Sequence, residues 1–246
     1  MGRAGRAAGA VGVVAIIAAG LTGCIPGPPP VPQPTPAAPI VQSGAAAGEL
    51  REGFVPAGGT SSVTLTIDER AAVAIGATSP DEDDLTMHLT GAGTDVESDD
   101  ASGDLDVFEF EMQTRDPAIA TVLEPGEYTI ELAEWGDDST DYRLQVLTST
   151  TTVTAGSVAE LEFGPGRPAL VIATITEGDE AIAATSDIDT TLWAYVPDSD
   201  QEYWDDDGGG DRNPRIELIG ESPQDIAVVA TGYDRDESGT LELAVE

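Results

Sequence analysis

Apolar residues recur at every second position through much of this chain. Val63-Thr64-Leu65-Thr66-Ile67, Val107-Phe108-Glu109-Phe110-Glu111-Met112 and Tyr128-Thr129-Ile130-Glu131-Leu132 read this way, as do Val158-Ala159-Glu160-Leu161-Glu162-Phe163 and Thr240-Leu241-Glu242-Leu243-Ala244-Val245. A period of two sends successive side chains to opposite faces, so each run predicts a strand with one face in a core and one in water. Clusters of Gly, Pro, Asp and Ser separate the runs, and no stretch keeps a helical period over three turns. Many short strands with acidic turns predict an all-β chain built from antiparallel, jelly-roll-like β-sandwiches.

The chain also matches itself. Asp84-Leu85-Thr86-Met87-His88-Leu89 returns as Asp189-Thr190-Thr191-Leu192-Trp193-Ala194, and Asp99-Asp100 with Gly103-Asp104 as Asp206-Asp207 with Gly210-Asp211. Tyr128 to Leu132 answers to Ile226 to Ala230, and Leu144-Gln145-Val146 to Leu243-Ala244-Val245. Val55-Pro56-Ala57-Gly58 is paired with Val153-Thr154-Ala155-Gly156, and Ala72-Val73-Ala74-Ile75 with Ala169-Leu170-Val171-Ile172, at an interval of about 98 residues. Two tandem sandwiches, 49–148 and 150–246, are the simplest account. The polar run Thr148-Ser149-Thr150-Thr151-Thr152 joins them and predicts that each half folds alone.

The first 48 residues are of another kind. Arg3 and Arg6 precede a short apolar run, Ala8 to Leu21, which ends in Leu21-Thr22-Gly23-Cys24. A basic start, a short apolar stretch and small residues at the exit describe an export signal over 1–23. Leu21 to Cys24 resembles a bacterial lipobox. That resemblance implies cleavage before Cys24, a diacylglycerol on its sulfur, and residence on the extracytoplasmic face of the cell membrane. Two acyl chains hold a protein lastingly where one holds it marginally. Cys24 is the only cysteine, so disulfides contribute nothing. Residues 24–48 carry eight prolines between Pro26 and Pro39. They predict a disordered, polyproline-rich tether, and at about 3.1 Å per residue its Pro-rich part is a spacer of roughly 50 Å.

Charge narrows the partners. The chain has 46 acidic residues, ten arginines and no lysine, for a formal net charge of −36. Such a field repels nucleic acid and anionic lipid. The inventory narrows the chemistry. One histidine, no lysine and no thiol beyond Cys24 exclude Ser-His-Asp, Cys-His and zinc arrangements. No phosphate-cradling glycine loop occurs. Carboxylate hydrolysis is the remaining enzymatic possibility and a distant one; His88 reads as a core or surface residue.

The second half carries a further pattern. An aspartate opens the strand Asp189 to Tyr195, an Asp-rich turn follows at Asp205 to Asp211, then the strand Arg215-Ile216-Glu217-Leu218 and a last hairpin. The first half shows Asp83-Asp84-Leu85, Asp99-Asp100 and Pro125-Gly126-Glu127-Tyr128 in the same order, whereas the second has Pro223-Gln224-Asp225-Ile226 where the first has its glycine. This order resembles the bacterial pre-peptidase C-terminal domain. The resemblance implies a non-catalytic accessory module that assists targeting or binding; it names no substrate, and an envelope protein and a glycan both stay open as partners.

Two sets of side chains are candidates for sites. Calcium accepts six to eight oxygen ligands in irregular geometry. Asp189, Asp205, Asp206, Asp207 and Asp211 around three glycines form one candidate calcium set, and Asp84, Asp99, Asp100 and Asp104 the other. The opposing reading is a solvated acidic surface. Asp234 to Gly239 begins like a calcium loop but reads as a hairpin turn. Tyr203 and Trp204, beside the acidic turn, are candidates for stacking on a sugar ring.

Overall fold

The computed structural model describes residues 40–45, 48–100, 105, 107–177, 181–197, 201–218 and 222–246. The export signal, Cys24, the proline-rich stretch and Asp104 lie outside the described residues.

Strands account for the regular structure described, and they fall into two sets of nine. The first set is β1 (Ile40–Ala45), β2 (Leu50–Val55), β3 (Thr60–Ile67), β4 (Ala71–Thr78), β5 (Leu85–Gly91), β6 (Thr94–Ser98), β7 (Ala118–Leu123), β8 (Gly126–Glu134) and β9 (Thr140–Ser149). The second is β10 (Thr152–Thr154), β11 (Val158–Phe163), β12 (Ala169–Ile175), β13 (Ala181–Thr185), β14 (Thr190–Val196), β15 (Gln201–Asp205), β16 (Arg215–Glu217), β17 (Gln224–Gly232) and β18 (Gly239–Val245). The first set forms sheet A, in the order β1-β3-β8-β5-β6, and sheet B, β2-β9-β4-β7. The second forms sheet C, β10-β12-β17-β14-β15, and sheet D, β11-β18-β13-β16. Strand for strand, the second order repeats the first. The pairing is antiparallel except at two edges, where β1 runs parallel to β3 and β10 to β12.

This topology corrects four details of the sequence reading. Residues 40–45, expected in the tether, form β1. Ala72 to Ile75 lies in β4, whose counterpart is β13; the partner of Ala169 to Ile172 is β3. Val55 to Gly58 likewise starts at the end of β2, whose counterpart is β11, not β10. The register slipped because the halves are unequal between their sixth and seventh strands, where 99–117 is about twice as long as 206–214. Finally, Val107 to Met112 alternates but forms no strand.

Alternation reports burial faithfully where one face is wet. In β8, Tyr128, Ile130 and Leu132 are buried while Glu127 and Thr129 are exposed. The inward residues of sheets A and B make one core, with Val63, Leu65, Ile75, Met87, Leu89 and Leu144 at its centre. Those of C and D make a second, around Phe163, Val171, Leu192, Val228 and Leu243.

A third apolar layer lies between sheets B and C. Ala72 and Ala74 of β4 and Ala120 of β7 meet Leu170, Ile172, Trp193, Ala227 and Val229 of sheet C. Every residue of β4 is therefore buried, and a strand covered on both faces loses its alternation. The long 99–117 connection fills this layer with Leu105, Val107, Phe108 and Phe110. The rings of Phe108 and Phe110 stack with centroids 5.5 Å apart. Glu109 donates its N–H to the Gln145 side chain at 2.8 Å, so the segment is held without a strand ladder. Gly76 makes room for the first ring, since a Cβ there would sit 2.3 Å from Phe108 Cε2. The molecule is thus four sheets deep, in the order A, B, C, D.

Stacking distinguishes two rows of residues that share a place in the fold. On sheet A, Ser62, Glu131, His88 and Glu97 lie side by side across β3, β8, β5 and β6. On sheet C the corresponding row is Leu170, Val229, Trp193 and Trp204. The apolar row faces sheet B. The polar row belongs to the outermost face of the stack.

Candidate functional site

The acidic turn of the second half is built by Asp205. One of its carboxylate oxygens accepts the N–H groups of Gly208 and Arg215, each at 2.7 Å. Gly210 donates to the Asp207 carbonyl at 2.8 Å, and Gly209 to that of Asn213 at 2.8 Å. The glycines thus aim N–H groups into the turn, where a calcium site needs oxygens. Asp207 and Asp211 are exposed, and Asp211 has a φ of 55°. The Asp189 carbonyl accepts the N–H of Tyr233 at 2.9 Å.

In the first half, Asp84 takes an ion pair from Arg115 at 3.3 Å, and Asp99, exposed like Asp100, accepts the N–H of Asp100 at 2.8 Å. Among the described residues no three or more Asp, Glu, His or Cys gather as a metal cluster. Asp205 and Asp99 turn to nearby N–H groups, Asp84 to an arginine, and Asp100, Asp207 and Asp211 to solvent. Asp234 to Ser238 lies between β17 and β18, with the Glu237 N–H donating to the Asp234 carbonyl at 3.0 Å.

Tyr203 and Trp204 are consecutive on β15 and so point to opposite faces. Tyr203 packs against the core of C and D, while Trp204 lies across from Trp193 and is 42% exposed. The pair cannot grip one ring together.

The most exposed aromatic is one that the sequence reading passed over. Trp135 follows β8 and is 69% exposed. Its N–H donates to the Asp84 carbonyl at 2.9 Å, the same bond that Tyr233 makes to Asp189 in the second half. That equivalence was the available signal, since an aromatic follows the same strand in both halves. Trp135 walls a shallow depression of about 490 Å³ on the outer face of sheet A, with His88, Glu97, Asp99, Glu131 and Glu134 around it. His88 Nε2 is 2.6 Å from Asp95 Oδ1 and 4.0 Å from Glu97 Oε1. Glu134 accepts the N–H of Asp138 at 2.6 Å. None of the arginine ion pairs described reaches Glu97, Glu131 or Glu134. On the other side of the edge strand β6 lies a smaller hollow of about 200 Å³, lined by Asp100, Trp193, Tyr195 and Glu202 among others. The arrangement offers an aromatic face and several carboxylates beside the edge strand of sheet A.

No family model and no curated protein matches the chain. Among solved structures it is similar to the pre-peptidase C-terminal domain of collagenase from Bacillus anthracis, at 11% identity and a TM-score of 0.33, over 46% of this chain and 99% of that one. It is also similar to dimeric latent PorU from Porphyromonas gingivalis, at 12% identity and a TM-score of 0.19, over 81% of this chain and 18% of that one.

Proposed function

We propose that this is a lipid-anchored protein of the extracytoplasmic membrane face and a non-catalytic binding module of the cell envelope. Arg3, Arg6 and the Leu21 to Cys24 ending support the anchor, and the absence of lysine and of a second histidine argues against most enzyme chemistries. The observation that carries the binding role is the exposure of Trp135 over a carboxylate-lined depression on the outermost sheet. A large aromatic set in water beside polar groups is a common feature of recognition surfaces.

Two measurements test this reading. The wild-type protein should take up a fatty-acid analogue and partition into detergent, and Cys24→Ala should do neither. The Cys24→Ala protein, which carries no lipid, should still sediment with envelopes of the producing cell, and the same protein with Trp135→Ala should stay in solution. Equal sedimentation of the two would remove Trp135 from the reading. No sedimentation of the Cys24→Ala protein would remove the binding role.

A further inference from the structure

We infer that the outer face of sheet A, at its β6 edge, docks an extended basic polypeptide segment of a partner. The inference rests on the binding role proposed above and names the chemistry of the partner.

The argument starts from the matched rows. In the second half, Leu170, Val229 and Trp193 occupy this face and sheet B covers them. The equivalent face of the first half carries Ser62, Glu131 and His88, with Glu97 beside them. An apolar sheet cannot take that place, because it would strip water from carboxylates without offering them a partner. A cationic occupant satisfies them.

Charge complementarity has few internal competitors here. His88 is already bonded to Asp95, and Arg51, Arg70, Arg115, Arg143, Arg167 and Arg215 pair with other carboxylates. Glu97 is 81% exposed. Trp135 adds a π-face that attracts guanidinium and ammonium groups. Shape argues for an extended chain. Among the described residues β6 is the last strand of its sheet, and none of them pairs with the far side of its backbone in a ladder. A strand laid along β6 projects alternate side chains beside Asp95 and Glu97, the outward residues of that strand, while Glu131 and Trp135 lie further in, across the same depression. A divalent cation is a poorer fit, since the described carboxylates do not converge on one point.

The test uses the full chain purified in detergent and a fluorescent peptide of alternating lysine and serine, read by anisotropy. Binding should weaken with salt. Glu97→Gln, Glu131→Gln and Glu134→Gln together should weaken it about tenfold. The amide introduced by Glu134→Gln keeps an oxygen for the Asp138 N–H, and an unchanged melting temperature reports that the fold is intact. Trp135→Ala should also weaken binding, while Trp135→Phe retains most of it. A control triple on the outer face of sheet D, Glu160→Gln, Glu162→Gln and Glu242→Gln, removes the same charge and should leave binding within about twofold.

Equal weakening by both triples would show that the diffuse field of the protein attracts the peptide and would overturn the site. So would tighter binding of a neutral N-acetylglucosamine tetramer that Trp135→Ala abolishes, since the occupant would then be a glycan. If the Cys24→Ala protein sediments with envelopes but ignores the peptide, the binding role stands and the basic partner falls. If it does neither, both fall.

Discussion

Arg70 Nη2 lies 2.5 Å from Asp225 Oδ2, joining residues 155 positions apart and on either side of the apolar layer between sheets B and C. Its Nε also meets Glu124 at 2.8 Å. Burial lowers the Arg70 pKa, but the hydrogen bonds to Glu124 and Asp225 outweigh it and hold the guanidinium above its ordinary value. The second oxygen of Asp225 is buried without a hydrogen-bond partner.

Losing Arg70 therefore leaves a half-buried carboxylate uncompensated. Arg70→Ala should cost about 1–2 kcal/mol in urea unfolding. Asp225→Asn should cost less, and the double variant less than the sum of the two. Strict additivity would mean that the contact carries no coupling.

The plug between the sheets should matter more. Phe108 is fully buried, so Phe108→Ala should cost about 3–5 kcal/mol. Gly76→Ala should destabilise by a different route, pushing a methyl into the same ring. In Phe108→Ala the added methyl has space, so the pair should be less unstable together than their separate costs imply. Thermal melts of the three variants decide this.

Much of this architecture is written in the residues. β3, β8 and β18 announce themselves because one face is wet, and the two halves match in order through Asp84 and Asp189. The apolar layer is not legible in the same way. β4 and β12 read as plain apolar runs because both faces are covered, which blurs their period. Val107 to Met112 has a strand's alternation, but Phe108 and Phe110 use it to reach one layer from a loop. β1 follows a proline-rich run and gains its order from β3, a tertiary contact that composition does not encode. Of the site, the aspartates were visible as a cluster, but Asp205 is committed to its own turn. Trp135 stands alone in its segment, and only its match to Tyr233 could have drawn attention to it.

Alkaline pH should unfold the protein partly through Tyr142. Burial raises its pKa, although the hydrogen bond with Ser61, 2.9 Å away, lowers it in part. A phenol whose pKa is higher folded than unfolded stabilises fully below about pH 10, and that share is lost as pH rises through the folded value. Tyr142→Phe should cost about 1 kcal/mol at neutral pH by orphaning the buried Ser61 hydroxyl. Its deficit should shrink above pH 10. A constant deficit across that range would remove Tyr142 as the titrating group.

The acidic turn should respond to salt without preferring calcium. Asp205→Ala removes two hydrogen bonds to backbone N–H groups and should cost about 1–2 kcal/mol with or without the ion. In wild type, calcium and sodium at matched ionic strength should raise the melting temperature equally. A calcium-specific rise that Asp206→Asn with Asp207→Asn abolishes would restore the cage that the sequence suggested.

Placing β1 and Trp135 in one sheet has a mechanical consequence. A pull between a membrane anchor ahead of β1 and a partner held at Trp135 enters at one strand and leaves just past another, with only β3 between them. The load crosses the β1–β3 and β3–β8 ladders in turn and bypasses the plugged layer behind sheet B. The deeper sheets can then stay slack under tension, while resistance to shear is set by how many hydrogen bonds those two ladders break at once.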